Sequence, residues 1–233
     1  MNPPRTPPAA EPLTRASLEA DAVRRSIRMS NPDTYVWGDE ELDASLQETL
    51  AKAPDPRDVW VFGYGSLLWN PVIHITKRLP GRVHGYRRRF CMIAPTGRGT
   101  RETPGLILAL DAGGSCQGVA MKVRASRLRD ELRLLWRREM VVGSYSPRWV
   151  DLRHDGGVQP ALTFVMNRQH RSYRGGYTSG KTASIIARAS GVLGSNAEYL
   201  FDTLDHLHAH GLKDGPLEDL ARRVRRIQQR NRT

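Results

Sequence analysis

Cysteine is scarce in this chain, which has 233 residues and two cysteines, Cys91 and Cys116. Two cysteines do not form the disulfide network that stabilises small secreted domains, and the sequence has no Cys-x-x-Cys or zinc-ligand spacing. This pattern is typical of a protein in a reducing compartment, so we expect a cytoplasmic protein. The 39% of hydrophobic residues are sufficient for a core that stabilises the fold without disulfides.

Long apolar segments are also lacking, since no run approaches the roughly 20 residues that a membrane-spanning helix needs. The first residues lack the apolar core of a secretory signal, so we expect no export. Acidic residues are outnumbered, with 24 Asp and Glu against 36 Lys and Arg, which gives a formal charge of +12. This excess suits anionic partners such as nucleic acids, membrane surfaces or small acidic substrates, and does not choose among them.

The first 56 residues differ in composition from the rest. Residues 1–16 contain five prolines and few apolar side chains, which predicts a disordered tail. Residues 17–56 predict a helical extension, with one helix over 17–28 and a second from Asp39 that ends before Pro54. Residues 57–233 are then predicted to form the main domain.

Residues 59–69 are the most informative stretch of the sequence. They begin as an apolar, β-branched and aromatic run, which predicts a buried strand, and then break into Gly63-Tyr64-Gly65-Ser66. Because glycine adopts backbone angles that other residues avoid, such a loop is able to turn several N–H groups toward one point. This would be an anion-binding nest; an ordinary turn is the alternative that four residues leave open.

Short strands and turns follow this loop, and helices end the chain. The predicted strands cover residues 83–92, 106–110, 116–123, 144–152 and 161–166. Turns are expected at 111–114 and 156–157, a helix from Ser126 to about Met140, and three more helices after Thr182. Short strands separated by turns are typical of a barrel or a strongly curved sheet.

Glu139 is an acidic residue on an apolar helix face. It follows Leu132, Leu135 and Trp136 by seven, four and three residues, so the four side chains share one stripe of the predicted helix. A partly exposed helix end, with Glu139 paired to an arginine, would explain this position without a function. A buried carboxyl at the negative end of the helix dipole would instead have a raised pKa and serve as a general acid/base.

Taken together, the loop and this carboxylate resemble the ChaC-type γ-glutamylcyclotransferases, which act on glutathione. The resemblance runs in one order over about residues 59–225. Gly143-Ser144-Tyr145 stands where the family usually has Gly-Gly-Tyr, which puts fine substrate preference in doubt. The matching segments are residues 61–71, 85–90, 104–105, 118–120, 138–139, 143–145, 176–177 and 194–200.

The resemblance implies an α+β fold, a small mixed β-barrel flanked by helices, with Glu139 as the catalytic acid/base. The implied reaction converts glutathione to 5-oxoproline and cysteinylglycine, because the γ-glutamyl α-amine attacks its own γ-carbonyl. It needs no metal or nucleotide cofactor, and the sequence indicates none. The residues implied in substrate binding are Phe62, Gly63, Tyr64, Gly65, Ser66, Leu67, Tyr145 and Tyr177.

Other motifs indicate weaker alternatives. His206, His208 and His210 have a spacing that suits a metal, but no further ligand is evident nearby. Residues 175–181 are superficially like a phosphate loop and depart from its spacing. The arginines of residues 222–232 suit nucleic acid or acidic lipid, but no nucleic-acid-binding motif accompanies them, and a solvated helix face is the favoured explanation.

Two function classes therefore remain in view. The first is a cyclotransferase, acting on glutathione or on other γ-glutamyl amines or peptides. The second is a basic binding protein that keeps the fold without activity. The intact loop at 63–66 together with Glu139 favours the enzyme. The oligomeric state is not indicated by the sequence.

Overall fold

The structure is a computed structural model and describes residues 13–231. Residues 1–12 of the predicted tail lie outside the described residues, whereas residues 13–16 lead into and begin the first helix. The division of the chain into tail, extension and main domain stays a prediction.

The described residues form seven α-helices and seven strands. The helices are α1 (Arg15–Glu19), α2 (Ala22–Ser30), α3 (Asp39–Ala51), α4 (Leu128–Glu139), α5 (Ser179–Arg188), α6 (Asn196–Ala209) and α7 (Gly215–Arg230). The strands are β1 (Trp60–Gly63), β2 (Ile75–Ala94), β3 (Gly105–Val123), β4 (Tyr145–His154), β5 (Gly157–Met166), β6 (Ser190–Gly191) and β7 (Gly194–Ser195).

Five strands form a closed barrel in the order β1-β3-β2-β4-β5. Antiparallel pairs join β1 to β3, β2 to β3 and β4 to β5, while β5 closes the barrel by pairing parallel to β1 at Val61 and Leu162. The buried apolar side chains of β1, β3 and β5 fill the barrel interior. The expected α+β class and the mixed barrel flanked by helices are confirmed.

The turn that we predicted at residues 111–114 is wrong, because β3 runs through it without a break. Gly113 and Gly114 have φ of +96° and +80°, and they lie opposite a register shift between His84 and Tyr86 of β2. The glycines therefore form a bulge that bends the β2–β3 hairpin without ending it. The predicted hairpin turn between β4 and β5 is confirmed.

The helix predicted over residues 17–28 is two helices. Asp21 has a φ of +60°, in the left-handed region, and this residue separates α1 from α2. Aspartate tolerates this conformation better than most residues because its short polar side chain bonds locally. The helix predicted from Asp39 and the three C-terminal helices are confirmed, with small differences at their ends.

The helices cover the barrel in two groups. α5, α6 and α7 pack against one another, with α5 on β3, while α1 and α3 pack against α4. Helix α4 buries Leu132, Leu135 and Trp136, and Trp136 meets Phe164 of β5 edge to face at 5.2 Å. This packing fixes the C-terminal end of α4, where Glu139 lies, against the barrel. None of the helices in the described range is long and apolar enough to cross a bilayer.

A partly buried ion pair joins the N-terminal helices to α4. The guanidinium of Arg15 donates to both carboxylate oxygens of Glu131, at 2.8 and 3.1 Å, and the backbone N–H of His74 donates to the same carboxylate at 2.9 Å. Burial alone would raise the pKa of Glu131, but the hydrogen bonds from Arg15 and His74 outweigh it and hold the pKa at about 2.

We expect Glu131→Gln to lower the free energy of unfolding at pH 7 by about 1.5–3 kcal/mol, the range for hydrogen bonds to charged groups. Because the pKa of Glu131 is lowered from 4.5 to about 2, the wild type has this stability above pH 4.5 and loses it as the pH falls toward 2. Urea denaturation across this pH range measures the free energy of unfolding of the wild type and of Glu131→Gln, and the difference between the two should become smaller at low pH. Asp130→Asn, an exposed neighbour, is the control, and a difference that is independent of pH would contradict the ion pair's role.

Candidate active site

A cavity of about 280 Å³ lies where β1 and β5 end and where β3 and β4 begin. One side carries polar groups from the loop after β1 and from the end of α4, and the rest is largely apolar. The cavity is lined by Leu13, Val23, Tyr64, Gly65, Ser66, Leu67, Met92, Ile107, Leu108, Arg138, Glu139, Tyr145, Phe164 and Tyr199.

The loop after β1 has glycines because side chains crowd it. Gly65 has φ −149° and ψ −130°, outside the left-handed region, so positive φ is not the reason for glycine. A Cβ at Gly63 would lie 2.9 Å from Met121 Cε, and one at Gly65 would lie 3.3 Å from Leu108 Cδ2. Neither Gly63 nor Gly65 has a positive φ, and the close packing at both positions is what leaves little room for a side chain.

Two backbone amides of the loop remain available to a ligand. Residues 66–68 form a short 3-10 turn in which the N–H of Leu68 donates to Gly65 O. Within the part of the chain that the structure describes, the N–H groups of Ser66 and Leu67 have no acceptor. They are suited to an anion, as the predicted nest requires; that role stays a prediction.

Arg138 connects this loop to Glu139. Its guanidinium donates to Ser66 Oγ at 2.6 Å and to the carbonyl of Asn70, and its Nε lies 2.8 Å from Glu139 Oε1. The Arg138 side chain is 5% exposed. A cation therefore links the loop to the carboxylate, and it adds positive potential to the loop side of the cavity.

Glu139 combines the two interpretations that the sequence left open. It pairs with Arg138, yet its side chain is only 15% exposed and lines the cavity. Burial raises the pKa of Glu139 above its usual 4.5, and the Arg138 guanidinium offsets part of this rise. A raised pKa makes the carboxyl a stronger base than an exposed glutamate, which suits a group that takes up and returns a proton.

Three tyrosines surround this carboxyl. Tyr64 donates to Phe164 O at 3.0 Å, and Tyr145 donates to Leu108 O at 3.3 Å, which fixes both rings as walls. Burial raises the pKa of Tyr64 and Tyr145 well above 10, and that of Tyr199 to about 12, and the nearby Glu139 carboxylate adds to each rise. All three hydroxyls therefore stay neutral at physiological pH.

The loop is supported from outside the cavity. Trp69, which follows the 3-10 turn, stacks on His206 of α6 with ring centroids 4.4 Å apart. The buried Arg88 of β2 donates to Tyr64 O and pairs with Asp214 at 2.8 Å. Arg88 is thus committed to positioning the loop, so Arg138 is the better placed of these two arginines to contact a ligand.

The structure brings together six of the nine predicted site residues. Tyr64, Gly65, Ser66, Leu67, Glu139 and Tyr145 all line the cavity. Phe62 and Gly63 lie behind it, in β1, and pack against β3. Tyr177 is not among the described residues that line the cavity. Lys181 lies over its ring instead, with Nζ 4.2 Å from the centroid of the Tyr177 ring.

The sequence missed several wall residues. Met92, Ile107, Leu108 and Phe164 come from strands, and the alternation of side chains did not show which ends of these strands meet. Tyr199 lay within a segment that matched the family, which was the one available signal. Leu13 and Val23 belong to the N-terminal residues, to which no motif had been assigned.

In the described part of the chain, several side chains of the weaker motifs are engaged in local contacts. His208 lies 3.3 Å from Glu218, and His210 bonds to the carbonyl of His206. Within residues 13–231, no group of three His, Cys, Asp or Glu side chains is placed to hold a metal. In residues 175–181, the backbone N–H of Lys181 caps α5 by bonding to Thr178.

Comparisons with known proteins agree with this geometry. A family model described as ChaC-like protein matches residues 59–227. The chain is 42% identical over 196 residues to the glutathione-specific gamma-glutamylcyclotransferase of Escherichia coli (strain K12), covering 84% of this chain and 85% of that protein. It is 35% identical over 162 residues to glutathione-specific gamma-glutamylcyclotransferase 1 of Mus musculus, covering 67% and 73% respectively.

A solved structure supports the same fold. The crystal structure of a γ-glutamyl cyclotransferase specific to glutathione from yeast matches with a TM-score of 0.66 and 23% identity, covering 73% of this chain and 96% of that one. At this identity the likeness concerns the fold alone. The family model, however, spans the barrel, the loop after β1, Glu139 and most of the C-terminal helices. The chain therefore belongs to the ChaC-like protein family.

Proposed function

We propose that this protein is a glutathione-specific γ-glutamylcyclotransferase, a carbon–nitrogen lyase that cleaves glutathione to 5-oxoproline and cysteinylglycine. The observation that carries the proposal is Glu139, a largely buried carboxyl with a raised pKa in a cavity bounded by the 64–67 loop. The names of the relatives in Escherichia coli and Mus musculus support the same substrate.

The reaction depends mainly on the shape in which the substrate is held. The α-amine and the γ-carbonyl belong to the same γ-glutamyl group, so their reaction closes a five-membered ring without a second reactant. A site that holds this group in a folded conformation supplies most of what the ring closure needs. The rigid walls formed by Tyr64 and Tyr145, each fixed by a hydrogen bond to a backbone carbonyl, suit this task.

Glu139 moves the protons of both halves of the reaction. As a carboxylate it accepts a proton from the α-amine while the new carbon–nitrogen bond forms. It then returns a proton to the cysteinyl nitrogen while the original amide bond breaks. Glu139 ends the cycle in the state in which it began, and neither water nor any other co-reactant is consumed.

The loop side of the cavity holds the α-carboxylate of the γ-glutamyl group. The N–H groups of Ser66 and Leu67 are free to donate to it, and the Arg138 guanidinium adds a positive charge beside them. Charge-assisted hydrogen bonds of this kind are stronger than neutral ones. The apolar remainder of the cavity suits the uncharged part of the leaving group.

The cytoplasm is the compartment that we propose for this activity. Cys91 and Cys116 are both unpaired and buried, as expected where thiols stay reduced.

A nucleic-acid partner is not part of the proposal. Along α7, Arg222 pairs with Asp219 and Arg225 lies over the Phe201 ring, as on an ordinary solvated helix face.

A comparison of substrates tests the proposed specificity. We expect kcat/KM to be highest for glutathione and lower for γ-glutamylcysteine and γ-glutamylalanine, because these lack part of the leaving group. Product formation followed by mass spectrometry measures all three. A higher kcat/KM for the smaller amides would identify a cyclotransferase for other γ-glutamyl amines. No turnover of any of them by folded protein would favour the non-catalytic binding protein.

A further inference from the structure

Two residues of the active-site cavity come from outside the family domain. The family model begins at residue 59, yet Leu13 and Val23 line the cavity beside Glu139. They belong to residues 13–30, which comprise α1 and α2 and which we call the N-terminal strap. The domain alone would therefore leave this side of the cavity open.

The strap is firmly attached beside the site. Leu18 of α1 is 1% exposed, and Arg15 makes the two hydrogen bonds to Glu131 of α4 described above. The carbonyl of Leu13 accepts a hydrogen bond of 2.8 Å from Asn70 Nδ2. The backbone carbonyl of Asn70 in turn accepts from Arg138, so the strap connects through Asn70 to the arginine that pairs with Glu139. These contacts make the strap a fixed wall of the cavity.

The chemistry of the strap indicates which part of a substrate it meets. Leu13 and Val23 offer only methyl and methylene groups, whereas the γ-glutamyl group carries two charges that need polar partners. Those partners lie on the loop side, at Ser66, Arg138 and Glu139. The cysteinyl side chain is the uncharged part of glutathione and behaves as a small hydrophobic group.

We propose that the N-terminal strap receives the cysteinyl side chain of the leaving group and limits the size of the side chain accepted there. This inference rests on the proposed function. Leu13 and Val23 are specificity-determining residues, because they bound the cavity that holds the substrate and carry no group that takes part in the reaction. A substrate side chain that is too large for this position should therefore lower both the binding affinity and kcat/KM.

S-alkyl glutathiones probe this position directly, because they add methylenes to the cysteinyl sulfur and leave the γ-glutamyl group unchanged. Calorimetry measures the binding of glutathione, S-methylglutathione and S-butylglutathione to the wild type, Leu13→Ala and Val23→Ala. Val23→Ile, which adds a methylene, tests the opposite direction. Met29→Ala is the matched control, since Met29 is an apolar residue of α2 that is 72% exposed.

We expect the wild type to bind S-butylglutathione about tenfold or more weakly than glutathione, as small hydrophobic pockets discriminate. Leu13→Ala and Val23→Ala should each raise the affinity for S-butylglutathione, relative to that for glutathione, about fivefold or more. Val23→Ile should lower this relative affinity further. Met29→Ala should behave as the wild type. A thermal unfolding curve for each variant shows that it is folded.

The measurement separates this inference from the proposed function. If the binding pattern holds while glutathione is not turned over, the strap's role is supported and the proposed function is contradicted. If the variants keep the wild-type ratio of the two affinities, or if the wild type binds both ligands equally, the inference is wrong whatever the turnover. An absence of all binding would overturn it as well.

Discussion

Glutathione turnover is expected to fall by about 10²–10⁴-fold in Glu139→Gln, the usual contribution of a general acid/base. Glutamine keeps the shape of the side chain but does not accept the proton of the α-amine. The cavity wall and the loop that holds the γ-glutamyl group are unchanged, so a substrate analogue should bind with nearly wild-type affinity. Steady-state kinetics and calorimetry measure the two effects separately.

The pH dependence of kcat/KM in the wild type is a second test of Glu139 as the base. Glu139 must be ionised to act as a base, and burial raises its pKa above 4.5. We therefore expect kcat/KM to rise with pH through a pKa above 4.5, and this limb should be absent from the residual activity of Glu139→Gln. Asp130→Asn, an exposed carboxyl of the same helix, is the control for both measurements. Near-normal turnover in Glu139→Gln would show that another group moves the proton.

Gly65→Val is expected to lower kcat/KM by roughly 5- to 150-fold, which corresponds to the 1–3 kcal/mol typical of overpacking. The added Cβ would lie 3.3 Å from Leu108 Cδ2, and both residues line the cavity. The extra methyl groups must therefore displace Leu108 or enter the space of the substrate. Gly65→Ala adds only the Cβ, which the flexible end of Leu108 is able to accommodate, so its effect should be smaller.

Ser66→Ala tests how much the Ser66 hydroxyl contributes to substrate binding compared with the backbone N–H groups of the loop. It removes one acceptor of Arg138 but leaves the N–H of Ser66 and the contacts of Arg138 with Asn70 and Glu139. We expect a loss of about 0.5–1.5 kcal/mol in binding, the value of one hydrogen bond. Normal Michaelis constants in Gly65→Val would instead mean that the loop is only a scaffold and that Arg138 holds the anion.

Local periodicity was enough to predict that Glu139 lies on the apolar face of α4, whereas its catalytic role came from the family resemblance and stays a proposal. The spacing of Leu132, Leu135 and Trp136 determined the buried stripe of α4, and Glu139 follows on the same stripe whatever the rest of the fold does. The strand and the loop at residues 59–69 could likewise be predicted from the sequence, because a buried strand and a glycine-rich break are local signals.

Long-range contacts explain most of what the sequence did not show. The continuation of β3 through residues 111–114 depends on pairing with β2, and this pairing turns two glycines that resemble a turn into a bulge. Leu13 reaches the cavity because Arg15 pairs with Glu131, which is 116 residues away. Neither partner indicates the other in the sequence, so residues 13–16 were predicted as part of the tail and residues 17–30 as part of a helical extension without a role in the site.

Ring closure is the central event of this account, and an isotope measurement tests it directly. Glutathione is incubated with the purified protein in water enriched in ¹⁸O, and the products are identified by mass spectrometry. We expect 5-oxoproline and cysteinylglycine in equal amounts, both without ¹⁸O, because no water attacks the γ-carbonyl. Glutamate that carries ¹⁸O would show hydrolysis and would contradict the intramolecular attack that we assign to the site around Glu139.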